Sequence, residues 1–207
     1  KNKSPKNQPA IILKTSSATF SVTDREQILE KIEKIKLSVD SKKLPNVYLL
    51  HGNLTEEELN SLYNHPKVKA MLSFTHGEGY GRPLLEFGIT GKPVIAPNWS
   101  GHKDFLSKNG IMLPGELKQV HPSVVWENVI IKESSWFYVD YGYATGILKD
   151  MENNYSKYLE KSRKQTQYIK DNFSLDMMTE QFRIQLDKHV PSFEIKLPKL
   201  EELQTYE

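Results

Sequence analysis

The run Ala70-Met71-Leu72-Ser73-Phe74-Thr75-His76-Gly77-Glu78-Gly79-Tyr80-Gly81-Arg82-Pro83-Leu84-Leu85-Glu86 decides how this sequence is read. It opens apolar over Ala70–Phe74, as a buried strand does, and passes through three alternating glycines. It then enters a helix predicted over Pro83–Ile89, with proline in the first turn where its missing N–H costs nothing. Glycines let a backbone approach a ligand closely and adopt positive φ. The helix start adds unpaired N–H groups and a partial positive charge, suited to a phosphate. Glu86, one turn in, is placed to accept hydrogen bonds from a ribose diol.

Outward from this run the same alternation repeats. Short apolar segments at Ala10–Thr15, Asn46–Leu50, Pro93–Ala96 and Gly110–Leu113 suit strands of a parallel sheet buried on both faces. Between them lie helical patterns. Asp24–Ile35 carries Ile28, Ile32 and Ile35 on one stripe, with Asp24 as its cap. Thr55–Tyr63 opens with a capping box, Thr55 followed three residues later by Glu58. His102–Ser107 is a short fourth helix, and Tyr141–Met151, Asn153–Asn172 and Leu175–Lys188 follow. The stretch Pro114–Trp136 fits no regular pattern. Strand-helix-strand repetition predicts an α/β fold, a doubly wound parallel sheet with C-terminal helices. In such sheets ligands bind outside the carboxyl ends of the strands. The domain reading is a linker over 1–8, one domain over 9–190 and an extended tail over 191–207.

Composition narrows the partners. The 207 residues carry 28 Lys and Arg against 26 Asp and Glu, and a net charge of +2 gives no basic face for nucleic acid. There is no cysteine, which removes disulfides, thiolate nucleophiles and Cys-based zinc sites together. No apolar run is long enough to span a bilayer and no signal-peptide core opens the chain. The expectation is a cytoplasmic protein without a transmembrane segment. The first residue is not Met, and a polar Pro-containing segment leads into Ala10-Ile11-Ile12-Leu13, as in an interdomain linker of a longer protein.

Glu78 and Glu86 enclose seven residues, with Gly-Tyr-Gly after the first and Pro-Leu-Leu before the second. This resembles the E-x7-E motif of retaining GT-B glycosyltransferases of family 4 (group 1). The continuation Gly88-Ile89-Thr90-Gly91-Lys92-Pro93-Val94-Ile95-Ala96 is similar to that family's next turn and strand. Leu50-His51-Gly52-Asn53-Leu54 and the helix after it are similar to its preceding loop. The resemblance implies a Rossmann-like C-terminal domain that binds a nucleoside diphosphate sugar for retaining transfer. It implies that Glu86 holds the ribose and that Glu78, the catalytic candidate, contacts the transferred sugar. Gly79, Tyr80, Gly81, Arg82, Pro83 and Leu84 correspond to the positions around sugar and diphosphate, and Gly52, Asn53 and Leu54 to those around the base. Lys14 and Arg82 are the candidates for neutralising the leaving diphosphate. After Lys14, however, Thr15-Ser16-Ser17-Ala18-Thr19 departs from the family's Gly-Arg-x5-Lys pattern. An exposed helix arginine is the plainer reading of Arg82. No metal and no cofactor beyond the donor substrate is implied, and the acceptor site belongs to a preceding N-terminal GT-B domain.

Other residues stay open at this point. His76 and His51 stand at strand ends facing the expected crevice, as site residues or as satisfied polar groups. His102 is read as capping and packing. Trp99, Trp126, Trp136, Tyr138, Tyr141 and Tyr143 are read chiefly as core beneath the irregular stretch, or else as a sugar-stacking surface. Two rival functions remain, a non-catalytic α/β scaffold derived from this fold and a sugar epimerase of the same architecture.

Overall fold

The computed structural model describes residues 8–16, 21–41 and 44–191. They fall into two compact units divided between Leu62 and Tyr63. The expected linker and tail lie almost wholly outside the described residues, as do Ser17, Ala18 and Thr19.

In the first unit β1 (Ile11–Thr15) pairs in parallel with β2 (Val47–His51), Ile11 opposite Val47 and Thr15 opposite His51. β1 is exposed along its length, since β2 is its one hydrogen-bonded neighbour among the described residues. Burial on both faces, expected of every strand, does not hold there. α1 (Asp24–Ser38) connects the pair. Its N-cap is Thr23 rather than Asp24, which lies inside the first turn, only 2% exposed, with His51 Nε2 2.7 Å from its Oδ2. Burial explains the difference: a carboxylate shielded from water is stabilised by a partner, and His51 supplies one. Of the expected stripe, Ile32 is buried while Ile35 is 64% exposed. α2 (Glu56–Asn64) begins with the capping box as read: the Thr55 N–H donates to Glu58 Oε2 at 2.8 Å, and the Glu58 N–H to Thr55 Oγ1 at 3.2 Å.

The second unit is built on a parallel sheet, β3 (Met71–Leu72), β4 (Val94–Pro97) and β5 (Ile111–Leu113), with β4 in the middle. All four β4 residues are buried, as a strand covered on both faces requires. Successive side chains point to opposite faces, so β4 feeds two separate cores. Val94 and Ala96 join Leu84, Phe87, Phe105, Leu106 and Ile169, from α3 (Arg82–Gly88), α4 (Lys103–Leu106) and α6 (Tyr155–Asn172). Ile95 joins Ile111, Leu113, Phe137, Val139, Ala144, Met151 and Tyr158, with α5 (Tyr141–Asn153) contributing from its own face. α6 serves both cores because Tyr158, Ser162, Gln165 and Ile169 form one buried stripe at helical spacing. α7 (Leu175–His189) follows, capped by Ser174 and with no buried residue.

The stretch without a sequence assignment holds an antiparallel hairpin, β6 (Gly115–Gln119) with β7 (Ser135–Val139). Alternation along β7 turns Phe137 and Val139 inward, and leaves Trp136 and Tyr138 on the other side. The core aromatic here is therefore Phe137, 7% exposed, and not the tryptophans expected: Trp99 is 40% exposed and Trp126 67%. Tyr141 and Tyr143 are exposed as well. Among the described residues no helix is long and apolar enough to cross a membrane.

Candidate functional site

The loop between β3 and α3 leaves the sheet at the carboxyl end of β3. Its first turn is set by Thr75, whose N–H donates to Ser73 Oγ at 3.3 Å and whose own hydroxyl donates to the Gly77 carbonyl at 2.9 Å. The loop is then fixed against the turn after β4. The Glu78 N–H donates to Ser100 Oγ at 2.8 Å, and the Gly101 N–H donates to the Glu78 carbonyl at 3.1 Å. Gly101 permits this approach, because a Cβ there would stand 1.9 Å from the Gly79 carbonyl oxygen. Gly81 ends the loop in the left-handed region, φ 86°, as N-cap of α3. No motif in the sequence singles out Ser100 and Gly101. The signal available was a hydroxyl and a glycine placed just past the buried strand β4.

Glu78 is half-buried, and its carboxylate makes no hydrogen bond or ion pair with the described residues. Both of its backbone groups are committed while the side chain is free to act. Glu86 differs. Its Oε1 accepts from Arg82 Nε at 2.5 Å across one helical turn, and the Glu86 side chain is 31% exposed against 73% for Arg82. Arg82 is thus an exposed helix arginine that also sets the orientation of Glu86. An exposed pair of this kind adds little stability; its consequence is positional, because Glu86 Oε2 keeps its lone pairs for another donor.

The backbone donors are fewer than the sequence suggested. Pro83 has no N–H, and the N–H groups of Leu84 and Leu85 are spent on the Gly81 carbonyl at 2.9 and 3.2 Å. The consecutive N–H groups of Gly79, Tyr80 and Gly81 make no hydrogen bond to the described residues. Successive backbone N–H groups of this sort form anion-binding concavities. Leu84 is buried and anchors α3 in the core. Tyr80 packs on Phe105 with ring centres 5.3 Å apart, and burial followed by the charge of Asp104 pushes its phenol above the usual value.

His76 is turned toward the hairpin. Its Nδ1 lies 2.8 Å from the Phe137 carbonyl, so Nδ1 carries the proton, and the Phe137 N–H donates back to the His76 carbonyl at 3.3 Å. The ring stacks on Trp136 at 4.7 Å and leans on Tyr138 at 4.7 Å. His76 therefore latches β7 to the loop that carries Glu78. His102 is fully buried with Nε2 2.7 Å from the Pro97 carbonyl; it packs, and caps α4 with no side-chain bond. Its Nδ1 has no partner among the described residues. Lys14, Gly52, Asn53 and Leu54 belong to the first unit: Lys14 is exposed on β1, and Gly52 has φ 90° in the turn after β2.

Solved structures share this fold. HepE of Anabaena, in complex with UDP and glucose, matches with a TM-score of 0.58 and 15% identity, covering 86% of this chain and 40% of that one. The fold is glycosyltransferase-like. The same protein in complex with UDP-glucose matches with a TM-score of 0.57, at 14% identity and with 86% and 41% covered. A glycosyltransferase of Rickettsia africae matches with a TM-score of 0.55, at 15% identity and with 88% and 41% covered. No family model and no curated protein sequence matches the chain. A glycosyltransferase-like fold with its glycine-rich loop at the carboxyl end of β3 agrees with the α/β reading of the sequence. The chain spans about 40% of the length of these solved proteins.

Proposed function

We propose that this chain is the donor-binding part of a retaining glycosyltransferase of the GT-B, E-x7-E type, and that its second unit binds a nucleoside diphosphate sugar. The observation that supports this most is the state of Glu78. Its backbone is bonded on both sides, to Ser100 and Gly101, yet its carboxylate has no partner among the described residues. A fold gains nothing in stability from holding an unpaired, half-buried carboxylate, so the arrangement suits a ligand with hydroxyl donors. Glu78 takes the sugar hydroxyls, and Glu86 Oε2 takes the ribose. The N–H groups of Gly79, Tyr80 and Gly81 face the diphosphate charge that grows as the leaving group departs. A preceding domain of the whole protein supplies the acceptor site, in keeping with a match that spans about 40% of its structural neighbour.

Because HepE was solved with UDP and with UDP-glucose, uridine nucleotides are the first ligands to try. Calorimetric titration with UDP, UDP-glucose and GDP should give saturable binding of at least one. Glu86→Ala should weaken it about tenfold or more, the usual effect of losing a charge-assisted hydrogen bond. Circular dichroism should show the variant folded. No binding by any nucleotide, or equal binding by folded Glu86→Ala, would overturn the reading and favour a scaffold built on the same fold.

A further inference from the structure

At the opposite end of the sheet, before the first residues of β3 and β4, a cleft of about 460 Å³ opens against α6. Among the described residues three cations line it, Lys69, Lys92 and Arg163, and no carboxylate does. Elsewhere the chain's arginines have acidic partners: Arg25 lies near Glu26, Arg82 binds Glu86, and Arg183 binds Glu180 and Asp187. Arg163 makes no hydrogen bond or ion pair with the described residues. The nearest acid on its own helix, Glu160, is paired with Lys164 at 3.3 Å.

The other two cations are equally unbalanced. Lys92 Nζ donates to the Tyr63 and His65 carbonyls at 2.6 and 2.9 Å, which leaves its third N–H and its full charge without a counter-ion among the described residues. Burial, and then the neighbouring charge of Lys69, lower its pKa, the signature of a cation that an anion would relieve. Lys69 Nζ sits 5.6 Å from the centre of the Tyr155 ring rather than on a carboxylate. The neutral polar groups of the lining are already engaged. Thr166 donates to the Gly88 carbonyl at 2.7 Å, and the Gln167 amide to Asp171 at 2.7 Å. Beside the cations runs an apolar strip of Val68, Ile89 and Leu159.

We propose that this cleft binds a phosphate monoester with an apolar or ring-bearing organic part. Its phosphate sits between Arg163, Lys69 and Lys92, and its organic part lies along Val68, Ile89 and Leu159. A phosphate monoester brings close to two negative charges and three acceptor oxygens. The planar guanidinium of Arg163 matches two of those oxygens, while the lysines act as point charges. The ligand has two possible sources, a free organic phosphate or the headgroup of an anionic phospholipid, and both meet the same chemistry. The site is separate from the Glu78 loop, which leaves the other end of β3, and the inference stands without the donor-binding reading.

Titration with phenyl phosphate, followed by NMR of the arginine side-chain and backbone amides, is the direct test. Saturable shifts should centre on Arg163 and the 89–92 turn, and Arg163→Gln and Lys69→Gln should each weaken binding about tenfold. Both side chains belong to exposed residues, so the folded state should survive the changes. Co-sedimentation with phosphatidylcholine vesicles, with and without phosphatidic acid, separates the sources. Arg163-dependent binding to the acidic vesicles assigns the lipid headgroup, and Arg163-dependent binding of phenyl phosphate alone assigns the free ester. Uridine nucleotide affinity measured on the same variants should be unchanged, which keeps this test distinct from that of the donor site. No saturable binding in either arm, or binding equally strong in both variants, would overturn the proposal.

Discussion

Gly101→Ala is the most searching substitution for the candidate site, because it tests a contact between two backbones. The new Cβ would lie 1.9 Å from the Gly79 carbonyl oxygen, 2.7 Å from its carbonyl carbon and 3.1 Å from the Glu78 oxygen. None of these atoms belongs to a flexible side chain, so the loop itself must retreat. Overpacking a tight site costs about 1–3 kcal/mol. Retreat also breaks the hydrogen bond from the Gly101 N–H to the Glu78 carbonyl, worth about 1 kcal/mol. Together these give about 2–4 kcal/mol. With a urea slope of about 2 kcal/mol per molar, the unfolding midpoint should fall by about 1–2 M. Circular dichroism during urea unfolding measures it, and nucleotide titration of the still-folded variant should show weakened binding, since Glu78 moves with the loop. A midpoint within about 0.5 M of the parent, at the same slope, would refute the close approach on which the site geometry rests.

Two further outcomes test other parts of the chain. Thr55→Ala removes the hydroxyl that receives the Glu58 N–H at 3.2 Å, and should cost about 1 kcal/mol in thermal or urea unfolding. Tyr158 is pushed up to about 12 from its ordinary value of 10.0, first by burial and then by its hydrogen bond to Asp150. The folded state thus keeps the neutral phenol while the unfolded chain ionises at lower pH. Stability should therefore hold below pH 10 and fall between about pH 10 and 12, and urea midpoints across that window should decline less steeply in Tyr158→Phe.

Local, strongly patterned features were legible in the sequence. β4 is flanked by Lys92-Pro93 and holds only apolar residues, and it proved to be the buried middle strand. Thr55 and Glu58 announced a capping box and formed one. What stayed hidden depended on partners distant in the chain. Asp24 looked like a cap because caps are local, but its partner is His51, 27 positions away. The hairpin was unreadable because β6 is exposed at every residue and has no apolar alternation, so only β7 reveals it. The aromatic assignment failed for a related reason. Period-two alternation chooses Phe137 over Trp136, and that choice is invisible until the strand is known. At the candidate site, spacing and the family resemblance single out Glu78 and Glu86, whereas their different states come from Arg82 one turn away and from Ser100 and Gly101 beyond the next strand.

The hairpin closes on itself: the Asp140 N–H donates to the Pro114 carbonyl at 2.8 Å, so the chain leaves and re-enters the α/β frame at nearly one point. Such a segment is a plug-in. Its tip, from His121 to Glu133, gives no residue to either buried cluster, so exchanging it should leave β5 and α5 in place. Yet through His76 it holds the Glu78 loop that Ser100 and Gly101 also clamp. One half of that grip belongs to the frame and the other to a replaceable part. Redesigning the tip, while Trp136 and Tyr138 are retained, is thus a route to retuning the loop that leaves both cores untouched.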